Sequence, residues 1–232
     1  MIKAVFFDLF ETLITEFQDG VRIANHNSFS SDRLGISADD FNKAWLERTE
    51  KRMIGNYADY PSVLREILEQ HGLQLDDELL KIFHLERIVA KAVPFEQIDP
   101  EIINMLNKLR WNNIRLCLIS NCAVEEVMSW KSSQLEPYFD EFIFSYEVGI
   151  AKPNPNIYQL ACDRMQVQPS EVIFIGDGGS SELEGARAVG MQALHAVWFL
   201  PEHRKNQLNE FAKLYKIEDL IYFIQKENKV SI

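Results

Sequence analysis

Positive charge is what this sequence has least of. Its 24 Lys and Arg stand against 35 Asp and Glu, a formal net charge of -11. Such a surface repels phosphate backbones and anionic membranes, which argues against nucleic acid or membrane as a partner. An anionic small molecule would need a site that concentrates its own positive charge. Cysteine is scarce too. Cys117, Cys122 and Cys162 are odd in number and contain no C-x-x-C pair, so neither a disulfide framework nor a zinc site is suggested. The five histidines, His26, His71, His84, His195 and His203, form no ligand-spaced pair and read as surface or capping residues. No apolar stretch is long enough to span a bilayer. The apolar start MIKAVFFDLF is short and broken by Asp8, unlike a signal peptide. The expectation is a reduced, cytoplasmic protein, without repeats or low-complexity segments.

What the chain does have is enough apolar side chain, 47% of 232 residues, to bury a large core. Short β-rich runs at Ala4–Phe7, Arg115–Ile119, Glu141–Phe144, Val172–Ile175 and Ala193–Trp198 are nearly continuous in hydrophobicity. That pattern predicts strands buried on both faces. Helical faces separate the later runs: Ile102, Ile103, Leu106 and Leu109; Val124, Val127, Met128 and Leu135; Ile157, Leu160 and Ala161. Glu182–Val189 ends at Gly190, a suitable stop. Strands alternating with helices predict a parallel sheet in an α/β fold.

Between the first two strands, roughly residues 15–95 show helical periodicity only. Ser37 with Asp40 resembles a capping box, Pro61 suits a first turn, Gly72 a stop, and Asp76 an N-cap. A crossover this long is too much for one helix. It predicts a helical cap domain over 15–95, inserted after the first strand of an α/β core formed by 1–14 and 96–232, with the return hinge from Pro94 to Pro100.

In an open parallel sheet, ligands sit beyond the carboxyl ends of the strands. The segments there are Asp8-Leu9-Phe10-Glu11-Thr12, Ser120-Asn121, Gly149-Ile150-Ala151-Lys152-Pro153 and Gly176-Asp177-Gly178-Gly179-Ser180-Ser181-Glu182. All are polar, and all should converge at one edge. In order and spacing the four segments resemble the motifs of the haloacid dehalogenase superfamily, whose members with a helical cap carry it in the same gap. The resemblance runs to about Trp198.

It implies a Rossmann-like core and a hydrolase that forms a covalent intermediate on Asp8. Carboxylate attack splits one hard displacement into two easier ones. By the same resemblance Ser120 hydrogen-bonds the transferring group, and Asn121 beside it orients substrate or nucleophile. Lys152 steadies the nucleophile and the phosphoryl oxygens by charge. Mg²⁺ is implied on Asp8, the backbone carbonyl of Phe10 and Asp177, with Glu182 behind them holding a metal-bound water or Lys152. Magnesium takes oxygen ligands of this kind.

One position departs from the pattern. Phosphatases of the superfamily have a second Asp two residues after the nucleophile as acid/base, and here Phe10 stands there. Dehalogenases of the superfamily have Tyr there, but use no metal and lack the leading Asp that is kept here as Asp177. Phosphonate-cleaving members use a cap lysine, for which Lys43, Lys51, Lys81 and Lys91 are candidates. Glu11 is a poor substitute, since neighbouring residues point different ways. The favoured reading is a Mg²⁺-dependent phosphatase of a small phosphorylated metabolite, suited to leaving groups that need little protonation, acting as a monomer or homodimer. Alternatives are a dehalogenase-like or phosphonatase-like hydrolase, or a catalytically impaired binding protein. Arg22, Trp45, Arg48, Arg52 and Tyr57 are candidates to face the core. Trp45 is expected in the helical core, however, and the arginines on solvated faces. From Pro201 onwards, Phe211, Leu214 and Tyr215, then Leu220, Ile221, Phe223 and Ile224, predict helices with an apolar face.

Overall fold

The structure is a computed structural model that describes residues 1–18, 20–24 and 31–230. His26 lies outside them.

Six strands form one wholly parallel sheet: β1 (Ala4–Phe7), β4 (Arg115–Ser120), β5 (Glu141–Phe144), β6 (Val172–Gly176), β7 (Gln192–Ala196) and β8 (Ala212–Leu214), in the order β5-β4-β1-β6-β7-β8. The continuous hydrophobicity of the strands has the predicted cause. In β1, Val5 and Phe7 join a cluster on one face, with Leu116, Leu118, Ile173 and Ile175. Ala4 and Phe6 join the other, with Cys117, Ile119, Val172 and Phe174. Successive side chains alternate between faces, so both sets must be apolar when both faces are covered. Helix α5 (Pro100–Trp111) contributes Ile102, Leu106 and Leu109 to the first face, and α10 (Asp219–Val230) contributes Leu220 and Ile224. Helices α7 (Pro155–Met165) and α8 (Glu182–Ala188) cover the second.

The register places the site. Phe7 pairs with Leu118 on one side and Ile175 on the other. The chain leaves β1 for β4 and β5 on one side, then returns to β6, β7 and β8 on the other. Order therefore reverses at β1, where the strand ends open a crevice. Asp8, Ser120 and Asp177 all lie at those ends.

Within the long crossover, four helices follow: α1 (Ala38–Glu47), α2 (Thr49–Met53), α3 (Tyr60–Gln70) and α4 (Asp77–Glu96). Ser37 caps α1 through the Asp40 N–H, Asp59 caps α3, and Asp76 caps α4 through the Glu78 N–H. They pack around their own cluster, which includes Phe41, Leu64, Ile67, Leu80 and Phe83.

Five details differ from the sequence reading. A two-stranded hairpin, β2 (Phe17–Gln18) with β3 (Val21–Arg22), precedes the helices; two-residue strands are too short to show a period. Helix α4 carries Pro94 inside it, so the return lies after Glu96. Val124 to Leu135 forms short 3₁₀ turns rather than a helix, and buries Trp130 against Phe139 and Phe144. Residues 212–214 form strand β8 because β7 offers them a free edge. Two arginines expected on solvated faces, Arg48 and Arg52, are each only 7% exposed.

Candidate active site

Asp8 follows β1 directly, and its N–H donates to the Ile175 carbonyl of β6. Its carboxylate is buried and held from two sides. Lys152 Nζ lies 2.5 Å from Oδ1, and Thr12 Oγ1 donates to Oδ2 at 3.3 Å. Thr12 is one turn further along the chain and fully buried. Its place in the first motif was visible, but its task depends on the chain curling back after Phe10.

Lys152 arrives from the loop before α7. Its ammonium bridges Asp8 and Glu182, each at 2.5 Å, and its side chain is 1% exposed. The Asn121 amide anchors its backbone reciprocally: Asn121 Nδ2 donates to the Lys152 carbonyl and Oδ1 accepts the Lys152 N–H, both at 2.8 Å. Asn121 thereby locks one motif to another, and both ends of its amide are occupied. Ser120 Oγ, fully buried at the end of β4, meets no hydrogen-bond partner among the described residues. Buried hydroxyls rarely go unmatched, so this atom suits an arriving oxygen.

The loop after β6 turns tightly, with Gly178, Ser180 and Ser181 all in the left-handed region. Serine there is strained, by an amount on the order of 1 kcal/mol or more per residue. The result brings Glu182 back beneath the strand end, where Oε1 accepts the Gly178 N–H at 3.1 Å. A Cβ on Gly176 would press on that same oxygen, so any larger residue there would displace the Glu182 carboxylate. Gly185, one turn into α8, similarly lets the helix touch the Pro153 carbonyl and the Tyr158 hydroxyl. Tyr158 donates to the Glu182 carbonyl at 2.8 Å.

Asp177 completes the cluster. Oδ1 accepts the Gly179 N–H at 2.9 Å, and Oδ2 pairs with Arg204 at 2.9 Å. Arg204 comes from α9 (Glu202–Lys205), beyond the last motif, and no pattern in the sequence marked it. His195, expected to be a surface or capping residue, is buried in β7 with Nε2 3.0 Å from the Asp177 carbonyl. Burial lowers its pKa.

Oxygen atoms of Asp8, Asp177 and Glu182 lie within 4.8 Å of one another. Burial raises the Asp8 pKa, only partly opposed by Lys152. Burial, and then Asp8, raise Glu182 well above the usual carboxylate range. For Lys152, burial alone would favour the neutral amine, but Asp8 and Glu182 outweigh it and hold the ammonium. Three carboxylates thus face two cations, Lys152 and Arg204. An all-oxygen donor set whose charged form burial disfavours fits a hard divalent cation, which would restore it.

Phe10, at the position of the missing carboxylate, lies with its ring centroid 5.3 Å from the Lys91 ammonium. Glu11 adopts φ 56° and turns away: its oxygens accept from Thr15 Oγ1 at 2.6 Å and the Glu16 N–H at 2.9 Å. Of the four candidate lysines, Lys91 alone is buried, paired with Glu16 at 2.7 Å and Glu126 at 3.0 Å. All three cysteines are free and buried. Among the described residues no helix is long and apolar enough to cross a membrane.

The chain is similar to several known hydrolases. A glyceraldehyde 3-phosphate phosphatase of Methanopyrus kandleri is 27% identical over 196 residues, covering 82% of each chain. The (S)-2-haloacid dehalogenase 4A of Burkholderia cepacia is 26% identical over 239 residues, covering 93% of this chain and 94% of that protein. The crystal structure of a 2-haloacid dehalogenase from Pseudomonas syringae pv. Tomato DC3000 superimposes with a TM-score of 0.67 at 20% identity, over 97% of this chain and 99% of that one. Against bifunctional epoxide hydrolase 2 of Sus scrofa, 29% identical over 135 residues, the chain spans only 23% of the relative's length. The model of the haloacid dehalogenase-like hydrolases matches residues 2–190, and the chain belongs to that hydrolase family.

Proposed function

We propose that the protein is a Mg²⁺-dependent phosphatase of small phosphorylated metabolites, with Asp8 as covalent nucleophile. The observation that carries this reading is Asp177 beside Asp8. Lys152 and Arg204 leave one of the three clustered carboxylates Asp8, Asp177 and Glu182 uncompensated when all are ionised, which a divalent cation would balance, and a metal-free dehalogenase has no use for Asp177. Asp8, Asp177 and the Phe10 carbonyl are the proposed ligands, with Glu182 behind them. When bound, Mg²⁺ would neutralise charge on the phosphoryl oxygens and the nucleophile.

The side chains divide the remaining work. Lys152 and Thr12 fix the Asp8 carboxylate, so that one oxygen is aimed at phosphorus. As that oxygen bonds to phosphorus, the bond to the leaving group breaks and the leaving group departs with its electron pair. Ser120 Oγ donates to a phosphoryl oxygen. Water then attacks the aspartyl phosphate, releasing phosphate and restoring Asp8. With Phe10 unable to donate a proton, acyl and aryl phosphates are the preferred substrates, since their leaving groups are stable as anions. The proposal also takes residues 15–95 as a cap that selects the substrate, and the protein as a cytoplasmic monomer or homodimer that engages neither nucleic acid nor membrane.

Phe10, an aromatic where the superfamily's dehalogenases have Tyr, favours dehalogenation as the second reading. One experiment separates the two. Purified protein is incubated with acyl and aryl phosphates, with and without Mg²⁺, and in parallel with 2-haloacids. Mg²⁺-dependent phosphate release that falls on the order of 10⁴-fold or more in Asp8→Asn supports the phosphatase. Halide release without metal overturns it.

A further inference from the structure

A half-open cavity of about 430 Å³ between helices α1 to α4, with Arg22 of β3 and Glu126 also in its wall, is unlike the rest of this acidic protein. Four cationic side chains line it against two carboxylates, Glu86 and Glu126. Most of these charges are satisfied. Arg87 donates to Glu125 at 2.7 Å and to Glu126 at 2.9 Å. Lys91 is shared by Glu16 and Glu126.

Arg52 is different. It is 7% exposed, yet no carboxylate among the described residues lies within ion-pair distance. Among the described residues its guanidinium makes one hydrogen bond, from Nη2 to Thr49 Oγ1 at 3.2 Å, and its Nε has no partner. The guanidinium Cζ lies over the Trp45 ring, 3.8 Å from the centroid. Burial lowers its pKa to about 10, outweighing the Glu126 and Glu125 carboxylates that act on it from beyond ion-pair distance. A guanidinium removed from water without an anion is unfavourable. The ring contact holds the guanidinium in place, and its unpartnered donors suit a carboxylate or phosphate, which a guanidinium matches in a fork.

The cavity also lies close to the strand ends. Lys91 in its wall sits over the Phe10 ring, two residues from Asp8, and Glu126 follows the Ser120–Asn121 segment. We infer that the cavity is an anion subsite, in which Arg52 receives a second carboxylate or phosphate of a molecule whose reactive phosphoryl group is presented to Asp8. This rests on the phosphatase reading for the reacting end only. The substrate class becomes small molecules anionic at both ends, and the volume suits a metabolite rather than a macromolecule.

The test pairs substrates and variants. Nitrophenyl phosphates with and without a linked carboxylate or second phosphate are compared in wild type, Arg52→Met and Arg52→Lys. The wild type should favour the doubly anionic compounds by about tenfold or more in kcat/KM, chiefly through KM. In Arg52→Met that ratio should fall toward one, and Arg52→Lys should retain part of it. Because the ratio is taken within one variant, partial loss of folded protein cancels. The carboxylate and phosphate arms tell which anion the site prefers. No advantage in the wild type, or an equal loss for both substrate types in Arg52→Met, overturns the subsite. Calorimetric titration with inert phosphonocarboxylates and diphosphonates keeps this separate from the chemistry. If no phosphate ester is turned over, binding that Arg52→Met abolishes still supports the subsite while the phosphatase reading fails. Equal binding by both proteins overturns the subsite.

Discussion

Replacing Glu126 by glutamine removes the carboxylate that ties the crossover helices to the sheet. Glu126 lies in the turn after Ser120 and Asn121, and accepts the Ala123 N–H at 3.0 Å. From α4, Arg87 reaches it at 2.9 Å and Lys91 at 3.0 Å. Burial alone would raise its pKa, but Lys91 and Arg87 outweigh burial and bring it from an ordinary 4.5 down to about 2. At about 1.4 kcal/mol per pH unit, that is about 3 kcal/mol of stability held by one carboxylate. The figure agrees with the lower end of about 3–5 kcal/mol for breaking a buried pair. The lower end is reasonable because Glu125 still faces Arg87 and Glu16 still faces Lys91.

The sign follows from the depressed value. The contribution is fully present above the unfolded pKa near 4.5, and is lost as pH falls from there toward 2. Glu126→Gln lacks it at every pH. Urea unfolding at a series of pH values should therefore show wild type more stable by about 3 kcal/mol at pH 7, with the gap closing below about pH 4.5. A gap that stays constant down to about pH 2.5, or one below about 1 kcal/mol at pH 7, refutes the reasoning.

Two further outcomes follow from the same charges. Lys152→Met leaves Asp8 and Glu182 without their shared ammonium; at about 3–5 kcal/mol, melting should fall by roughly 6–20 °C for a chain of this size. Phosphate release should vanish with it, and a calorimetric melting point within about 2 °C of wild type would contradict the assigned role. Arg204→Ala frees Asp177 from a pair whose arginine is 37% exposed. Such a pair is worth at most about 1 kcal/mol, so Mg²⁺ affinity should rise by up to about fivefold on calorimetric titration. Weaker binding would show that Arg204 supports the metal site instead of competing with it.

The sequence by itself determined the sheet and the edge at which its polar segments meet. Strands buried on both faces must be apolar at every position, and that run of residues is visible without a structure. Asp8, Ser120 and Asp177 were legible because each lies at the end of such a run, and Lys152 because its loop follows the third run closely. What lay beyond its reach depends on through-space pairing. Thr12, Tyr158 and Arg204 reach the site only because the chain folds back on itself, and Asn121 turned out to grip the Lys152 backbone. Strand β8 exists because β7 has an edge to give it. Arg48 and Arg52 sit at positions that local periodicity assigns to solvent, and only the packing of four helices around them decides that they are buried. Local pattern records what a residue's neighbours in the chain require, whereas tertiary structure decides which distant charge, edge or ring it meets.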